Sequence, residues 1–322
     1  KGDFIMMYLL LLLGFVLLVK GADFFVDGCA SIAKMLRVPS VIIGLTIVAF
    51  GTSAPEAAVS IVASLSGNND IAISNVIGSN LFNSLVVLGI CGLILPLNVQ
   101  AGICKKELPF SIGMTALLIF FCAFFSGKTD GALQIGRVEG LILLLFFALF
   151  LYQQIHSALK NREVRPEEEQ IGKKLSPSIS VLMSIAGVVM IILGGNFVVN
   201  SASDIAAAFG MSQTLIGLTI VAMGTSLPEL VTSVVASSKG ENDLAVGNVV
   251  GSNIFNILLI IGASASISPM TLQRVALYDG IFLLVMSLLL FLFVVRDKKI
   301  SRIQASILLL SYVCYSAYII MR

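Results

Sequence analysis

Two glutamates stand inside apolar sequence, each at the end of a motif that the chain contains twice. Glu56 ends the segment Gly-Leu-Thr-Ile-Val-Ala-Phe-Gly-Thr-Ser-Ala-Pro-Glu, and Glu229 ends a copy that differs from it at two positions. An acid at the centre of a membrane span costs about 2.5–3.5 kcal/mol even on scales taken from insertion experiments. Because both acids recur in the same context, we predict one functional site built from both copies.

A second repeated motif, Gly-Ser-Asn-Xaa-Phe-Asn, ends at Asn83 and, at the same offset, at Asn256. Its serine, Ser79 or Ser252, lies four residues before that asparagine and therefore on the same face of a helix. Carboxylates, hydroxyls, amide oxygens and backbone carbonyls form an all-oxygen set, which suits hard cations. The thiolate and imidazole ligands that zinc or copper prefer are missing from both motifs.

The first motif also predicts a break in its membrane span. Ser53 and Glu56 have the spacing of a capping box, and Pro55 stands where its missing N–H would be unsatisfied in any case. We predict that one helix ends near Gly51 and another begins after it, which leaves carbonyls around Ala49 and Thr52 free to face an ion or water. The second copy predicts the same break, at Ala222, Thr225, Ser226, Pro228 and Glu229.

The composition is that of a membrane protein, with 57% hydrophobic residues, 12% charged residues and a mean hydropathy of +1.02. Ten apolar runs are long enough to cross the hydrocarbon core as helices. They lie at residues 4–33, 38–65, 71–96, 107–126, 131–159, 177–207, 212–238, 243–268, 275–295 and 300–321. Such long unbroken runs exclude a β-barrel, so we predict an all-α membrane protein with ten transmembrane helices, broken at the midplane by the first motif.

The repeated motifs divide the chain into a first transmembrane repeat (1–160), a linker (161–175) and a second transmembrane repeat (176–322). Five crossings bring the chain out on the opposite face, so the second repeat is predicted to be inverted relative to the first. With both termini outside the cell membrane and the linker in the cytoplasm, most of the 20 basic residues lie on the cytoplasmic side. These are Lys34, Arg37, Lys105, Lys106, Lys160, Arg162, Arg165, Lys173, Lys174, Lys239, Arg296, Lys298, Lys299 and Arg302.

The rest of the sequence indicates no cofactor and no enzyme chemistry. The five cysteines have no metal-ligand spacing, and their odd number argues against a full disulfide framework, so we predict that they pack in the core. No nucleophile with a supporting base occurs at membrane depth. The net charge of +2 carries no nucleic-acid signal, and the expected surroundings are the lipid bilayer, with no obligatory protein partner.

The paired motifs resemble the two α-repeats of the calcium/cation antiporter superfamily, particularly the prokaryotic sodium/calcium exchangers. The resemblance covers both repeats and implies Ca²⁺ and Na⁺ as transported ions. It further implies that spans 2, 3, 7 and 8 surround the site while spans 1 and 6 slide across it to alternate access. As ligands it implies the central Glu56 and Glu229, the polar groups of Thr52, Ser53, Ser79, Asn83, Thr225, Ser226, Ser252 and Asn256, and the carbonyls of Ala49 and Ala222.

The sequence departs from some members of that superfamily at Asn256, where they carry an aspartate. Potassium-dependent members are among them, so potassium co-transport is not expected here. The predicted function is sodium/calcium exchange by alternating access. Two alternatives stay open: a proton/calcium antiporter that uses the same glutamates as proton carriers, and, from a different class, a cation channel.

Overall fold

The computed structural model of the protein describes residues 2–67, 69–124, 133–160, 175–210 and 222–321. This part of the chain is almost entirely helical, as predicted. Its α-helices are α1 (Gly2–Leu36), α2 (Ser40–Ile43), α3 (Ala49–Thr52), α4 (Ala54–Leu65), α5 (Asn69–Leu81), α6 (Leu88–Ile94), α7 (Leu108–Phe124), α8 (Arg137–Lys160), α9 (Pro177–Ala208), α10 (Ala222–Gly224), α11 (Leu227–Ser238), α12 (Asn242–Phe255), α13 (Gly262–Ile267), α14 (Arg274–Asp297) and α15 (Arg302–Met321). Four π-helical segments continue neighbouring helices, at Gly44–Val48, Phe82–Val87, Ile103–Glu107 and Asn256–Ile261.

Seven of the described helical segments are long and apolar enough to cross a membrane. They are Ile5–Leu36, Ile71–Ile94, Ile103–Ala123, Arg137–Lys160, Pro177–Ala208, Asn242–Ile267 and Arg274–Asp297. The bent pair Ser40–Thr52 and Ala54–Leu65 adds an eighth candidate. A helical, multi-pass membrane protein is therefore confirmed. The count of ten remains a prediction, because residues 211–221 of the predicted seventh span and residues 161–174 of the predicted linker lie outside the described residues.

The two longest helices, α1 and α9, pack in antiparallel directions through glycines. Gly21 meets Gly187, and Gly14 meets Gly194. A Cβ added at Gly21 would lie 2.9 Å from the Gly187 carbonyl oxygen, and one added at Gly187 would lie 2.7 Å from the carbonyl oxygen of Gly21. Only glycine allows this approach of the two backbones, which is a common way for membrane helices to associate.

The spans that carry the second motif form the buried centre of the protein. In the most apolar stretch of Ile71–Ile94 and of Asn242–Ile267, 78% and 94% of the residues are buried, compared with 22% in Arg137–Lys160. Leu85 and Leu258, one from each inner span, belong to the same apolar cluster. Polar groups on the inner spans are therefore surrounded by protein rather than by lipid.

Two short strand pairs connect the two halves of the chain. β1 (Leu97–Asn98) pairs antiparallel with β4 (Lys299–Ile300), and β2 (Leu133–Ile135) pairs antiparallel with β3 (Met270–Leu272). In both pairs a loop of the first half binds a loop of the second half. Backbone hydrogen bonds therefore fix the inter-helix loops of one half against those of the other.

All five cysteines are free thiols. Four of them, Cys29, Cys91, Cys104 and Cys122, are buried, in agreement with the predicted packing role. Cys314 is exposed on α15, so the packing prediction is wrong for this residue.

Candidate functional site

The first motif forms a break between two helices in each half of the chain. α3 ends at Thr52 and α4 begins two residues later, with Pro55 in its first turn and a bend of 51° between the two segments. Ser53 between them has φ −81° and ψ 5°. In the second copy Ser226, with φ −91° and ψ 6°, lies between α10 and α11. Each motif glutamate therefore lies in the first turn of a helix that begins inside the protein.

The serines of the first motif bind the glutamates of the opposite half. The Ser53 hydroxyl donates to Glu229 Oε1 at 2.9 Å, and the Ser226 hydroxyl donates to Glu56 Oε1 at 3.0 Å. Neither serine makes a side-chain cap to its own helix, so the predicted capping box is wrong. A hydrogen bond to a buried carboxylate is stronger than the neutral hydrogen bond of a serine cap to the backbone. The crossed bonds also bring the two helix breaks together.

The serines of the second motif extend this hydrogen-bond network. The Ser79 hydroxyl lies 3.1 Å from that of Ser226, and the Ser252 hydroxyl donates to Glu229 Oε1 at 3.5 Å. Both second-motif serines are buried. The prediction that the two motifs meet in one place is thus matched by direct contacts between them.

Eight buried side-chain oxygens have no hydrogen-bond partner among the described residues, and four of them belong to the two repeated motifs. These four are Oε2 of Glu56, Oε2 of Glu229, Oδ1 of Asn83 and Oδ1 of Asn256, and each of these side chains is 0% exposed. An unpaired buried polar atom is costly, and an unpaired buried charge is more so. A carboxylate and an amide from each half thus provide equivalent oxygens that a cation can satisfy.

The motif threonines lie beside amides of the opposite half. Thr52 Oγ1 is 3.0 Å from Asn248 Oδ1, and Thr225 Oγ1 is 3.5 Å from Asn75 Oδ1. Thr52 Oγ1 is also within 3.1 Å of the Val48 carbonyl oxygen of its own helix. The threonines therefore contact protein groups beside the carboxylates.

Asn75 and Asn248 are members of the site that the sequence reasoning missed. The Asn75 amide donates to Ser60 at 2.9 Å, and the Asn248 amide donates to Ser233 at 3.0 Å. These serines lie one helical turn after the motif glutamates. All four residues recur at the same offset as the glutamates, so the repeat itself carried a signal that could have identified them.

The backbone carbonyl of Ala49 is not free, contrary to the expectation from the sequence. It accepts the Ser53 N–H at 3.0 Å. The Thr52 hydroxyl also lies 3.4 Å from this oxygen, but it has closer acceptors in Val48 and Asn248. The bond from Ser53 therefore does not by itself remove Ala49 from a ligand set. Ala222 is the first described residue of α10, and the chain immediately before it lies outside the described residues.

Among the described residues, neither Glu56 nor Glu229 forms a salt bridge with a basic side chain. Both glutamates are fully buried, and the salt bridges of the described chain lie elsewhere, for example between Lys239 and Asp27. No group of three His, Cys, Asp or Glu that could hold a metal ion occurs in the described part of the chain. Two carboxylates with neutral oxygens around them need compensating positive charge, which a divalent cation supplies in one particle.

Comparison of the chain with known proteins identifies its family. The model of the family "Sodium/calcium exchanger protein" matches residues 6–156 and 179–321. The chain belongs to this family. It is 38% identical to the putative antiporter CaxA of Alkalimonas amylolytica, over 94% of this chain and 95% of that protein. It is 32% identical to the sodium/calcium exchanger MaX1 of Methanosarcina acetivorans, over 96% of this chain and 97% of that protein.

A solved structure of the same family has the same overall fold. The sodium-calcium exchanger NCX_Mj, soaked with 2.5 mM Na⁺ and 0.1 mM Ca²⁺, superposes with a TM-score of 0.83 at 30% identity, covering 97% of this chain and 98% of that one. The resemblance drawn from the motifs is thereby confirmed. Membership places this chain among cation/calcium antiporters, which are transporters rather than enzymes.

Proposed function

We propose that this protein exchanges Na⁺ for Ca²⁺ across the cell membrane, with Glu56 and Glu229 as the central cation ligands. The observation that carries this proposal is the set of four buried, unpartnered oxygens, one carboxylate and one amide from each half. The serine and threonine hydroxyls of both first motifs lie at the same place and complete an all-oxygen environment. Oxygen ligands are those that Ca²⁺ and Na⁺ use in proteins.

Charge balance explains why the two ions exchange. One Ca²⁺ neutralises both carboxylates, whereas Na⁺ must enter in number to do the same. The two cargoes therefore compete for the same oxygens, which is the requirement for antiport. If three Na⁺ replace one Ca²⁺, as the resemblance implies, one net charge crosses per cycle and couples about 2.3 kcal/mol per 100 mV to transport.

The proposed architecture has ten transmembrane helices in two inverted repeats. The strand pairing supports it, because β1 pairs with β4 while β2 pairs with β3. The repeat offset relates β1 to β3, and β2 and β4 each lie directly before the last helix of their half. In the ten-span topology the two pairs lie on opposite faces of the membrane, as inversion requires. The distribution of basic residues supports a cytoplasmic linker and both termini outside.

Alternating access is the proposed transport mode. Both glutamates are 0% exposed, so the described conformation encloses the carboxylates, and opening has to come from motion of surrounding helices. α1 and α9 pack closely on each other through glycines, so we propose that these two helices move across the site together. A cation channel instead needs a continuous pore, which fits fully buried carboxylates poorly.

Calcium uptake into sodium-loaded proteoliposomes tests the proposal. An outward sodium gradient should drive ⁴⁵Ca²⁺ accumulation, and vesicles with equal sodium on both sides should show none. Imposing a pH gradient with sodium absent on both sides separates the proton/calcium alternative. If the pH gradient alone drives accumulation as strongly as the sodium gradient does, protons rather than sodium are the counter-ion.

A channel gives a different pattern in the same vesicles. Calcium would then run down its own gradient without any sodium on the opposite side, and at a rate unaffected by the sodium gradient. Vesicles that contain the Glu56→Gln protein supply the background. This variant keeps the side-chain shape but removes one of the two charges.

A further inference from the structure

Asn80 and Asn253 are the middle asparagines of the second motif, and they contact the amides of Asn83 and Asn256 rather than the carboxylates. We propose that Asn80 and Asn253 are positioning residues that hold the two ligand amides with their oxygens facing the cation, each acting on the amide of the opposite half. The proposal rests on the function proposed above. In this proposal, Asn80 and Asn253 do not touch the ions but set which end of each ligand amide faces them.

Asn80 fixes the amide of Asn256. The Asn256 Nδ2 donates to Asn80 Oδ1 at 2.9 Å. Asn80 is itself held, because its own Nδ2 donates to the Asn253 carbonyl oxygen at 3.2 Å. Both side chains are almost completely buried. The nitrogen of the Asn256 amide is thus committed to a fixed acceptor, and its oxygen is the atom left without a protein partner.

Asn253 does the same for Asn83. The Asn83 Nδ2 donates to Asn253 Oδ1 at 3.3 Å, and the Asn253 Nδ2 donates to Ser84 Oγ at 2.9 Å. The repeat counterpart of Ser84 is Ile257, which has no side-chain acceptor. The Asn80 amide nitrogen therefore binds a backbone carbonyl instead. Asn80 and Asn253 thus act as two clamps, one on Asn256 and one on Asn83, that are held by different groups. Each clamp leaves the Oδ1 of its ligand amide without a protein partner.

Orientation decides what a cation meets at these two positions. A carboxamide carries an acceptor oxygen at one end and two N–H donors at the other, and the torsion that exchanges them is a soft one. With the acceptor of Asn80 or Asn253 removed, the buried amide gains an alternative orientation that presents its N–H groups to the ion. Residues that hydrogen-bond to metal ligands typically contribute 10–100-fold in metal affinity.

Two double-mutant cycles test the proposal, one for each clamp. Calcium affinity is measured by isothermal titration of the purified protein for wild type, Asn80→Ala, Asn256→Ala and the double variant, and likewise for Asn253→Ala with Asn83→Ala. We expect Asn80→Ala to weaken Ca²⁺ binding about tenfold in the wild-type background. In the Asn256→Ala background it should have no further effect, because the amide that it orients is gone.

Gln154→Ala is the matched control, since Gln154 is also a buried carboxamide but binds Glu107 instead of a site residue. It should leave the calcium affinity unchanged. Losses that multiply in both double variants, or single variants with wild-type affinity, would overturn the positioning role. If one clamp variant does not fold, the cycle on the other clamp decides.

Glu56→Gln in the same titration distinguishes a failure of the positioning role from a failure of the site assignment. Loss of calcium binding in Glu56→Gln together with multiplicative cycles removes only the positioning role. Normal binding in Glu56→Gln removes the site assignment itself.

Discussion

The two halves of the molecule agree around the glutamates and differ at the ends of their long helices. The crossed serine–glutamate bonds are 2.9 and 3.0 Å long. On α1, by contrast, Asp23 and Asp27 contact the Lys239 ammonium at 3.2 and 2.7 Å, while α9 carries Asn196 and Asn200 at the equivalent positions. The two halves are thus symmetric at the proposed cation site and asymmetric on α1 and α9, the helices whose motion we propose.

The strongest test of the symmetric part is the removal of each glutamate charge in turn. Glu56→Gln and Glu229→Gln should each reduce sodium-driven ⁴⁵Ca²⁺ uptake to background, because one remaining carboxylate cannot balance a divalent ion. Size-exclusion profiles should match the wild type, since Gln keeps the shape and an acceptor for the crossed serine. Near-normal flux in either variant would show that the carboxylates of both halves are not needed to bind the ion.

The crossed serines give a finer test of the same symmetry. Ser53→Ala and Ser226→Ala each remove one hydroxyl donor to a carboxylate, an interaction of about 1.5–3 kcal/mol for a charged acceptor. We expect calcium affinity to fall about tenfold in each variant, by factors that agree within about threefold. Ser111→Ala, at a buried serine of α7 whose hydroxyl is remote from both motifs in sequence, is the control. A large effect of one crossed serine and none of the other would contradict the symmetric site.

Asn256 allows the charge of the site to be changed. Asn256→Asp adds a third acid, so calcium affinity should rise several-fold at alkaline pH, where the acid is ionised. On acidification the gain should be lost, because protons compete for the added carboxylate and a protonated acid can donate to Asn80 as the amide does. Isothermal titration across pH measures this. Asn83→Asp is its symmetric control and should behave alike; unchanged affinity in both would place these amides outside the site.

The sequence predicted the glutamates, the helix breaks and the membrane fold because each depends on local composition or on the repeat. The prediction failed where a side chain binds a residue that is distant in sequence instead of its local neighbour. The spacing of Ser53 and Glu56 is that of a capping box, yet the hydroxyl binds Glu229. No spacing within one half reports a contact with the other half. Asn75 and Asn248 differ from this case, because both recur at the repeat offset but lie outside the two motifs.

The smallest expected effect concerns the asymmetric part of the molecule. The Lys239 ammonium binds Asp23 and Asp27 of α1, and all three side chains are partly exposed, so the pairs contribute only about 0.2–1 kcal/mol each. If α1 slides against the core during transport, these pairs stabilise the described conformation over the opposite one. Lys239→Ala should therefore change the exchange rate by about two- to fivefold and make it less sensitive to salt.

Lys239→Arg tests whether the ion pairs or the lysine stem matters, because arginine keeps the charge. It should retain the wild-type rate and its salt dependence, whereas alanine should lose both. The equivalent position of the first half is Ser66, and the equivalent helix α9 carries Asn196 and Asn200 in place of the two aspartates, so Ser66→Ala should leave rate and salt dependence unchanged. A Lys239→Ala protein with the wild-type rate at low and high salt would show that the charged end of α1 does not bias the conformational equilibrium. The two halves would then differ in charge without differing in function.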